Sequence, residues 1–247
     1  MPAIVLEHVT KRFGDKVAVS DLSLEIRAGA FVGLLGRNGA GKSTTLKMLT
    51  GLLEPTSGAV RLLDRDFQKN GLDLKRRIGV MPEDMALLEM LTGAQYLRFV
   101  GRMYGLEDDV IDERRKELFE KLDLTAGPRT VIADYSFGMK KKVALSAALI
   151  HGPEVIFLDE PFEGIDPVTS RTIKDILGAL RRRGTTILLT SHILEIVEKL
   201  CEEIAILEKG TLLGFGTLED LRKGTTLEAA FVELVGGARA GELSWLK

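Results

Sequence analysis

The stretch Gly36-Arg37-Asn38-Gly39-Ala40-Gly41-Lys42-Ser43-Thr44 decides the reading of this chain, because the apolar run Phe31-Val32-Gly33-Leu34-Leu35 precedes it and a helical pattern follows. Strand, glycine-rich loop and helix in that order form a phosphate cradle. Glycines let the backbone wrap so that successive N–H groups point inward at an anion, Lys42 adds a point charge, and the Ser43 hydroxyl is placed to ligate magnesium. A nucleoside triphosphate is the expected ligand.

The 247 residues, 45% of them hydrophobic, are enough to bury a full core as one large domain or a domain with a lobe. Lysine and arginine (34) and aspartate and glutamate (36) are interspersed, leaving a formal charge of −2, so no global basic field points to nucleic acid. The single cysteine, Cys201, rules out an internal disulfide, and with three separated histidines it forms no recognisable metal cluster. A reducing, cytoplasmic setting is expected. The segment Met1 to Glu7 lacks a basic start, and no run reaches the roughly 18 apolar residues of a spanning helix, so the chain is not expected to enter a membrane by itself.

Outward from the loop, Ile4 to Val9 and Leu22 to Ile26 alternate apolar and polar positions around Gly14-Asp15 and read as antiparallel strands. Ser43 to Leu53 reads as a helix ended by Glu54-Pro55, and Ser57-Gly58 opens a strand through Leu63. From Thr92 to Leu124 the period lengthens. Tyr96, Phe99, Val100, Met103 and Tyr104 share one predicted helical face, and Leu118, Phe119 and Leu122 another, as in a helical lobe. A helix from Ser136 to about Ile150, strand Val155 to Leu158, helix Pro167 to Arg183, strand Thr186 to Leu189 and helix Ile193 to Leu200 follow the alternation of a parallel α/β sheet. After about Gly210 a glycine-punctuated tail is expected, in which Leu227, Ala230, Phe231 and Leu234 have helical spacing and pack on the domain. Order past Gly236, around Trp245, is left open.

Asp159-Glu160-Pro161 puts two carboxylates at the end of a buried strand, where ligands of parallel sheets sit. Asp159 is the candidate magnesium holder, and Glu160 the candidate for polarising a water that attacks the γ-phosphate. His192 emerges after Thr190-Ser191 near the same edge and is a candidate donor to a phosphate oxygen. His8 and His151 have no such context.

As a set, these motifs resemble the nucleotide-binding subunit of ATP-binding cassette (ABC) transporters, over nearly the whole chain. Gly36 to Thr44 matches the Walker A motif, Val155 to Glu160 the Walker B strand and catalytic glutamate, Gly164-Ile165-Asp166-Pro167 the D-loop, and His192 the switch histidine. Phe13 stands where the family places an aromatic against adenine, although a core phenylalanine is the alternative. The resemblance implies an α/β fold: a P-loop NTPase core with a parallel sheet flanked by helices, plus an antiparallel β subdomain and a helical subdomain. The expected organisation is a nucleotide-binding domain over 1–223, with its helical lobe at about 84–150, and a helical tail over 224–247.

Two departures stand out. The signature reads Tyr135-Ser136-Phe137-Gly138-Met139 and differs from Leu-Ser-Gly-Gly-Gln at three of five places. Ser136 still offers a hydroxyl and a helix cap, and Gly138 still allows close approach of a phosphate, provided Phe137 points away; Lys140-Lys141-Lys142 adds charge nearby. Such a relaxed signature resembles the export branch of the family. Second, Glu83 stands at the Q-loop glutamine position. Near magnesium it brings a formal charge toward Asp159, about 4 kcal/mol of repulsion at 4 Å and an effective dielectric near 20; otherwise it is a solvated loop acid. The following Met85-Ala86-Leu87-Leu88-Glu89-Met90-Leu91 suits either a docking surface for the family's membrane partner or the lobe's own core.

The expectation is thus an ATP- and Mg2+-dependent ATPase that pairs head to tail with a second nucleotide-binding subunit, identical or not, and drives a multi-span membrane permease from the cytoplasmic face. Export is the expected direction, and nucleic acid is not an expected partner. The alternative, a soluble cassette acting on DNA or ribosomes, meets neither the long inserted coiled coil nor the tandem cassettes of those relatives.

Overall fold

In the computed structural model residues 1–222 and 224–237 are described; the expectation about Trp245 lies outside them. A long hairpin, β1 (Pro2–Phe13) and β2 (Lys16–Arg27), leads into β3 (Phe31–Leu35), the phosphate loop and α1 (Lys42–Leu49). Next come β4 (Ser57–Leu62), β5 (Arg65–Asp66), α2 (Phe67–Arg77) and β6 (Ile78–Met81). The helices α3 (Gly93–Met103), α4 (Asp108–Lys121) and α5 (Phe137–Leu149) follow. The chain then returns through β7 (Val155–Asp159), α6 (Pro167–Arg182), β8 (Thr186–Ser191), α7 (Leu194–Leu200), β9 (Glu203–Glu208), β10 (Thr211–Thr217), α8 (Leu218–Arg222) and α9 (Leu227–Val235).

Two sheets result: an antiparallel one in the order β2-β1-β4-β5, and a six-stranded one in the order β10-β9-β3-β8-β7-β6, parallel except for β10. The central strands are continuous apolar runs because both faces are covered. Their side chains split with period two. Val32, Leu34, Phe157, Leu188 and Ala205 join a core with the antiparallel sheet and α1, whereas Phe31, Leu35, Ile156, Leu158, Ile187 and Ile204 pack toward α5, α6 and α7. A third cluster, Leu124, Ile132, Tyr135 and Val143, ties the helical lobe to α5.

Several expectations change. The first helix stops at Leu49, and residues 50–53 form a turn in which Thr50, Leu52 and Leu53 amides bond back to α1 carbonyls. The segment after Gly210 is not tail at first but the strand β10, paired with β9 through a two-residue turn at Lys209 (φ 47) and Gly210 (φ 81). Positive φ at both positions is the type I′ hairpin geometry. In α3 the buried stripe is Gly93, Leu97 and Gly101, leaving Phe99 47% and Met103 71% exposed, because a Cβ at Gly101 would come within 2.6 Å of Ile111 on α4 and only glycine permits that approach. In α9, Leu227 and Ala230 are buried and Phe231 and Val235 pack against the core, but Leu234 faces outward.

Candidate active site

The phosphate loop leaves the carboxyl end of β3 and closes on itself through the Ala40 amide, which donates to the Arg37 carbonyl at 3.0 Å. Gly41 has φ +106, and a Cβ there would lie 2.8 Å from the Ala18 carbonyl oxygen, so the bend demands glycine on both counts. It also begins α1 with no side-chain cap. The first-turn N–H groups therefore remain available to an anion. Lys42 is buried, and its Nζ donates to the Gly36 carbonyl at 2.8 Å.

Arg37 to Thr44 line a cleft of about 500 Å³. Lys16, Val17 and Ala18 from β2 and Lys209 from the β9–β10 turn close one side, and Glu83, Glu160, Glu163 and His192 the other. Sequence reasoning missed Lys16, Val17, Ala18, Glu163 and Lys209. Only the Gly14-Asp15 turn that delivers Lys16 left a signal; Lys209 depends on a hairpin turn that lysine seldom occupies.

Across the cleft, adjacent parallel strands deliver the acids. Thr190 on β8 faces Asp159 on β7; its Oγ1 donates to Asp159 Oδ1 at 2.5 Å and accepts from the Glu160 amide at 3.0 Å. Glu160 is 6% exposed and has φ +47, a left-handed conformation uncommon for a side chain with a Cβ. Its Oε1 lies 3.1 Å from His192 Nδ1 and 3.4 Å from Lys42 Nζ. Neither contact has hydrogen-bond geometry, so this buried oxygen lacks a directed donor. His192 itself is 38% exposed beside the Ser191 hydroxyl, which accepts from the Ile193 amide.

The remaining predicted residues lie elsewhere. Ser136 caps α5, accepting from the Met139 amide at 3.2 Å, and Gly138 sits in that helix's first turn, yet neither lines the cleft. Phe137 turns its ring onto Gly164. Asp166 is spent as the N-cap of α6, accepting from the Val168 and Thr169 amides at 2.9 Å; the Thr169 side chain first, and then these amides, hold its carboxyl below the usual range. Phe13 is 51% exposed at the β1 end, which excludes the core alternative, and it lies outside the cleft lining with Lys11 over its ring. The three lysines after the signature part company: Lys140 pairs with Glu89, Lys142 donates to the Asp123 carbonyl, and Lys141 is buried. Burial pulls the Lys141 ammonium down, while Glu163, Glu160 and Glu83 hold it up.

The unassigned histidines are structural. His8 pairs with Asp21 on the exposed hairpin, and His151 stacks on Tyr104 at 3.7 Å with Nε2 against the Ile78 carbonyl. Burial pushes His151 down to about 4. Among the described residues no three His, Cys, Asp or Glu side chains cluster as a self-sufficient metal site. Magnesium that shares its shell with phosphate and water needs only one or two protein oxygens, so the Ser43 hydroxyl and the Asp159 carboxylate are a fitting donor set.

A phosphate loop after one parallel strand, facing buried acids on the second strand over, is the arrangement of a P-loop nucleoside triphosphatase. The ABC transporter family profile matches residues 19–163, more than half of the chain, and the chain belongs to that family. Its fold is that of an ABC ATPase, and ATP is its nucleotide. The linearmycin resistance ATP-binding protein LnrL of Bacillus subtilis is 38% identical over 215 residues, covering 87% of this chain and 69% of LnrL. NatA, an ABC transporter ATP-binding protein of the same organism, is 37% identical over 223 residues, with 88% and 91% covered. The probable multidrug ATP-binding protein YbhF of Escherichia coli is 34% identical over 240 residues, and there the match spans 94% of this chain but only 41% of the relative. Among solved structures, an ATP-binding subunit of an ABC transporter superposes with a TM-score of 0.88 at 31% identity, covering 94% of this chain and 99% of that one. A bacterial ABC transporter cassette solved as a dimer gives 0.79 at 25% identity, with 87% and 98% covered. No helix among the described residues is long and apolar enough to cross a membrane.

Proposed function

We propose that this chain, folded as one nucleotide-binding domain through residue 223, hydrolyses ATP in a site shared with a second copy of itself. Each ATP lies between Gly36 to Thr44 of one copy and Ser136 and Gly138 of the other. The observation that carries this reading is Gly138. A Cβ there would meet nothing within 4 Å, and its φ is not positive, so the subunit's own fold gives no reason for glycine. A phosphate brought by another molecule to the first turn of α5 does.

Within the cleft, Glu160 takes the proton of the attacking water. Its Oε1 is buried, lacks a directed donor and is flanked by Lys42 and His192, which suits an acceptor awaiting a water. His192 donates to the γ-phosphate, and Phe13 stacks on adenine from the turn end of the hairpin. Asp166 acts by fixing the start of α6. Ser43 and Asp159 would hold magnesium, with Glu83 as a further candidate oxygen, and the ion would supply neutralisation of phosphate charge.

Coupling runs to a multi-span permease at the inner face of the membrane. Met85 and Leu87 pack inward, whereas Leu88 and Met90 in the loop after Glu83, and Phe99 and Met103 on α3, stay exposed as apolar side chains for docking. Export is the direction supported by the resistance and multidrug names of relatives. Glu160→Gln is the direct test: turnover falls by about 10² to 10⁴ while ATP binding persists and the dimer is trapped. A Glu160→Gln protein that stays monomeric by light scattering with ATP and magnesium contradicts the shared site.

A further inference from the structure

Among the described residues Lys141 is the most deeply buried lysine, 2% exposed on α5. Burying an ammonium is costly even with Glu163, Glu160 and Glu83 nearby, and a residue needed only for packing would be apolar. Its Nζ donates to the backbone carbonyl of Glu160 at 2.7 Å. The same carbonyl accepts from the Glu163 amide at 3.3 Å, and the Glu160 amide donates to Thr190 Oγ1. The Glu160 residue, in its sparsely populated conformation at φ +47, is thus gripped on both sides. Above Lys141 the Phe137 ring lies 5.2 Å from the ammonium. That ring also covers Gly164, where a Cβ would come within 2.7 Å of it.

We propose that Lys141 is a positioning residue for hydrolysis: by donating to the Glu160 carbonyl it holds the residue in the left-handed conformation that aims its carboxylate at Lys42 and His192. The hold comes from α5, so the helix that begins with Ser136 and Gly138 is tied to the base of its own subunit through one side chain. Phe137, the bulkiest departure from the signature consensus, closes the top of this tie and joins it to the loop at Gly164. The inference rests on Glu160 being the base.

The test is steady-state ATP hydrolysis by the full chain for Lys141→Met, Lys141→Arg and Glu160→Gln, with thermal unfolding midpoints recorded in parallel. Lys141→Met keeps the stem and removes the donor. It lowers kcat by about 10- to 100-fold, the scale of a misplaced catalytic group, with KM for ATP unchanged within about twofold. Lys141→Arg, which keeps a donor, restores most of the rate. If Lys141→Met folds and turns over like the parent while Glu160→Gln is inactive, the positioning role is overturned and the base survives. If Glu160→Gln retains parental turnover, the base assignment itself fails. A Met variant whose kcat and KM shift together, with a lowered unfolding midpoint and no rescue by arginine, marks a merely structural lysine and also overturns the proposal. Should Lys141→Met not fold, Lys141→Gln replaces it: its amide stops about one bond short of the carbonyl, so kcat falls at constant KM, and a parental kcat counts against the tie.

Discussion

The two glycine-bearing motifs of this chain are built on opposite terms. The phosphate loop is demanded from within: Gly41 bends at φ +106 against the Ala18 carbonyl, and Lys42 is buried beneath the loop it serves. The signature turn is not. Gly138 has free space around it, Ser136 is exposed, and the residue between them, Phe137, leans on Gly164. A motif whose reasons lie inside the subunit holds its form, whereas one whose reasons lie in a partner is free to vary wherever the partner does not reach. On the proposed reading, that is how three of five signature positions differ without touching Ser136 and Gly138, the two proposed to face phosphate.

The contrast breaks most visibly under paired substitution. Lys42→Ala weakens ATP binding to the isolated subunit by about 10- to 100-fold, the cost of losing charge-assisted bonds to phosphate, as read by fluorescent nucleotide titration. Gly138→Asp, at a position where an added Cβ meets nothing within 4 Å, keeps the subunit's ATP affinity and abolishes turnover, because its charge meets the other copy's phosphate. Equal loss of binding in both variants would erase the distinction. A smaller effect concerns the metal side of the loop. Glu83→Gln removes a formal charge from the cleft lining and lowers the magnesium dependence of hydrolysis; an unchanged magnesium titration returns Glu83 to a solvated acid. Smallest for function, and outside both motifs, is His151. It stays neutral in the fold down to about pH 4, while the unfolded chain takes up a proton near 6.5. Its contribution to stability is therefore fully present above about pH 6.5 and is lost as pH falls toward 4, at most about 3 kcal/mol. His151→Phe flattens that limb in urea unfolding between pH 7 and 5, and an unchanged limb contradicts it.

The same inside-outside division explains what was legible in the sequence. Strands β3, β7 and β8, the phosphate loop and the Asp159-Glu160 pair announced themselves because burial on both faces imposes unbroken apolar runs and the loop imposes glycines. The β9–β10 hairpin was hidden: its turn places a lysine at positive φ, and Gly214 and Gly216 within β10 read as tail. Helix α2 was equally quiet, broken at Asn70 and followed by Gly71. The exposed faces of α3 were misread because Phe99 and Met103 are apolar and yet unburied, as at a surface awaiting a partner. Lys141 could not be told from its neighbours in a run of three lysines; only packing separates the one that reaches Glu160 from the two on the surface.

The central claim, that each ATP is held by two copies, is tested most directly by mixing two inactive proteins. Lys42→Ala lacks a phosphate loop and Gly138→Asp lacks a signature, so either alone forms no complete site. In a head-to-tail pair of one of each, the intact loop of the second meets the intact signature of the first. Equal mixing with ATP and magnesium should then restore about one quarter of parental ATP hydrolysis, from half the dimers carrying one live site each. A mixture no more active than either variant alone would place the whole site within a single chain and contradict the account.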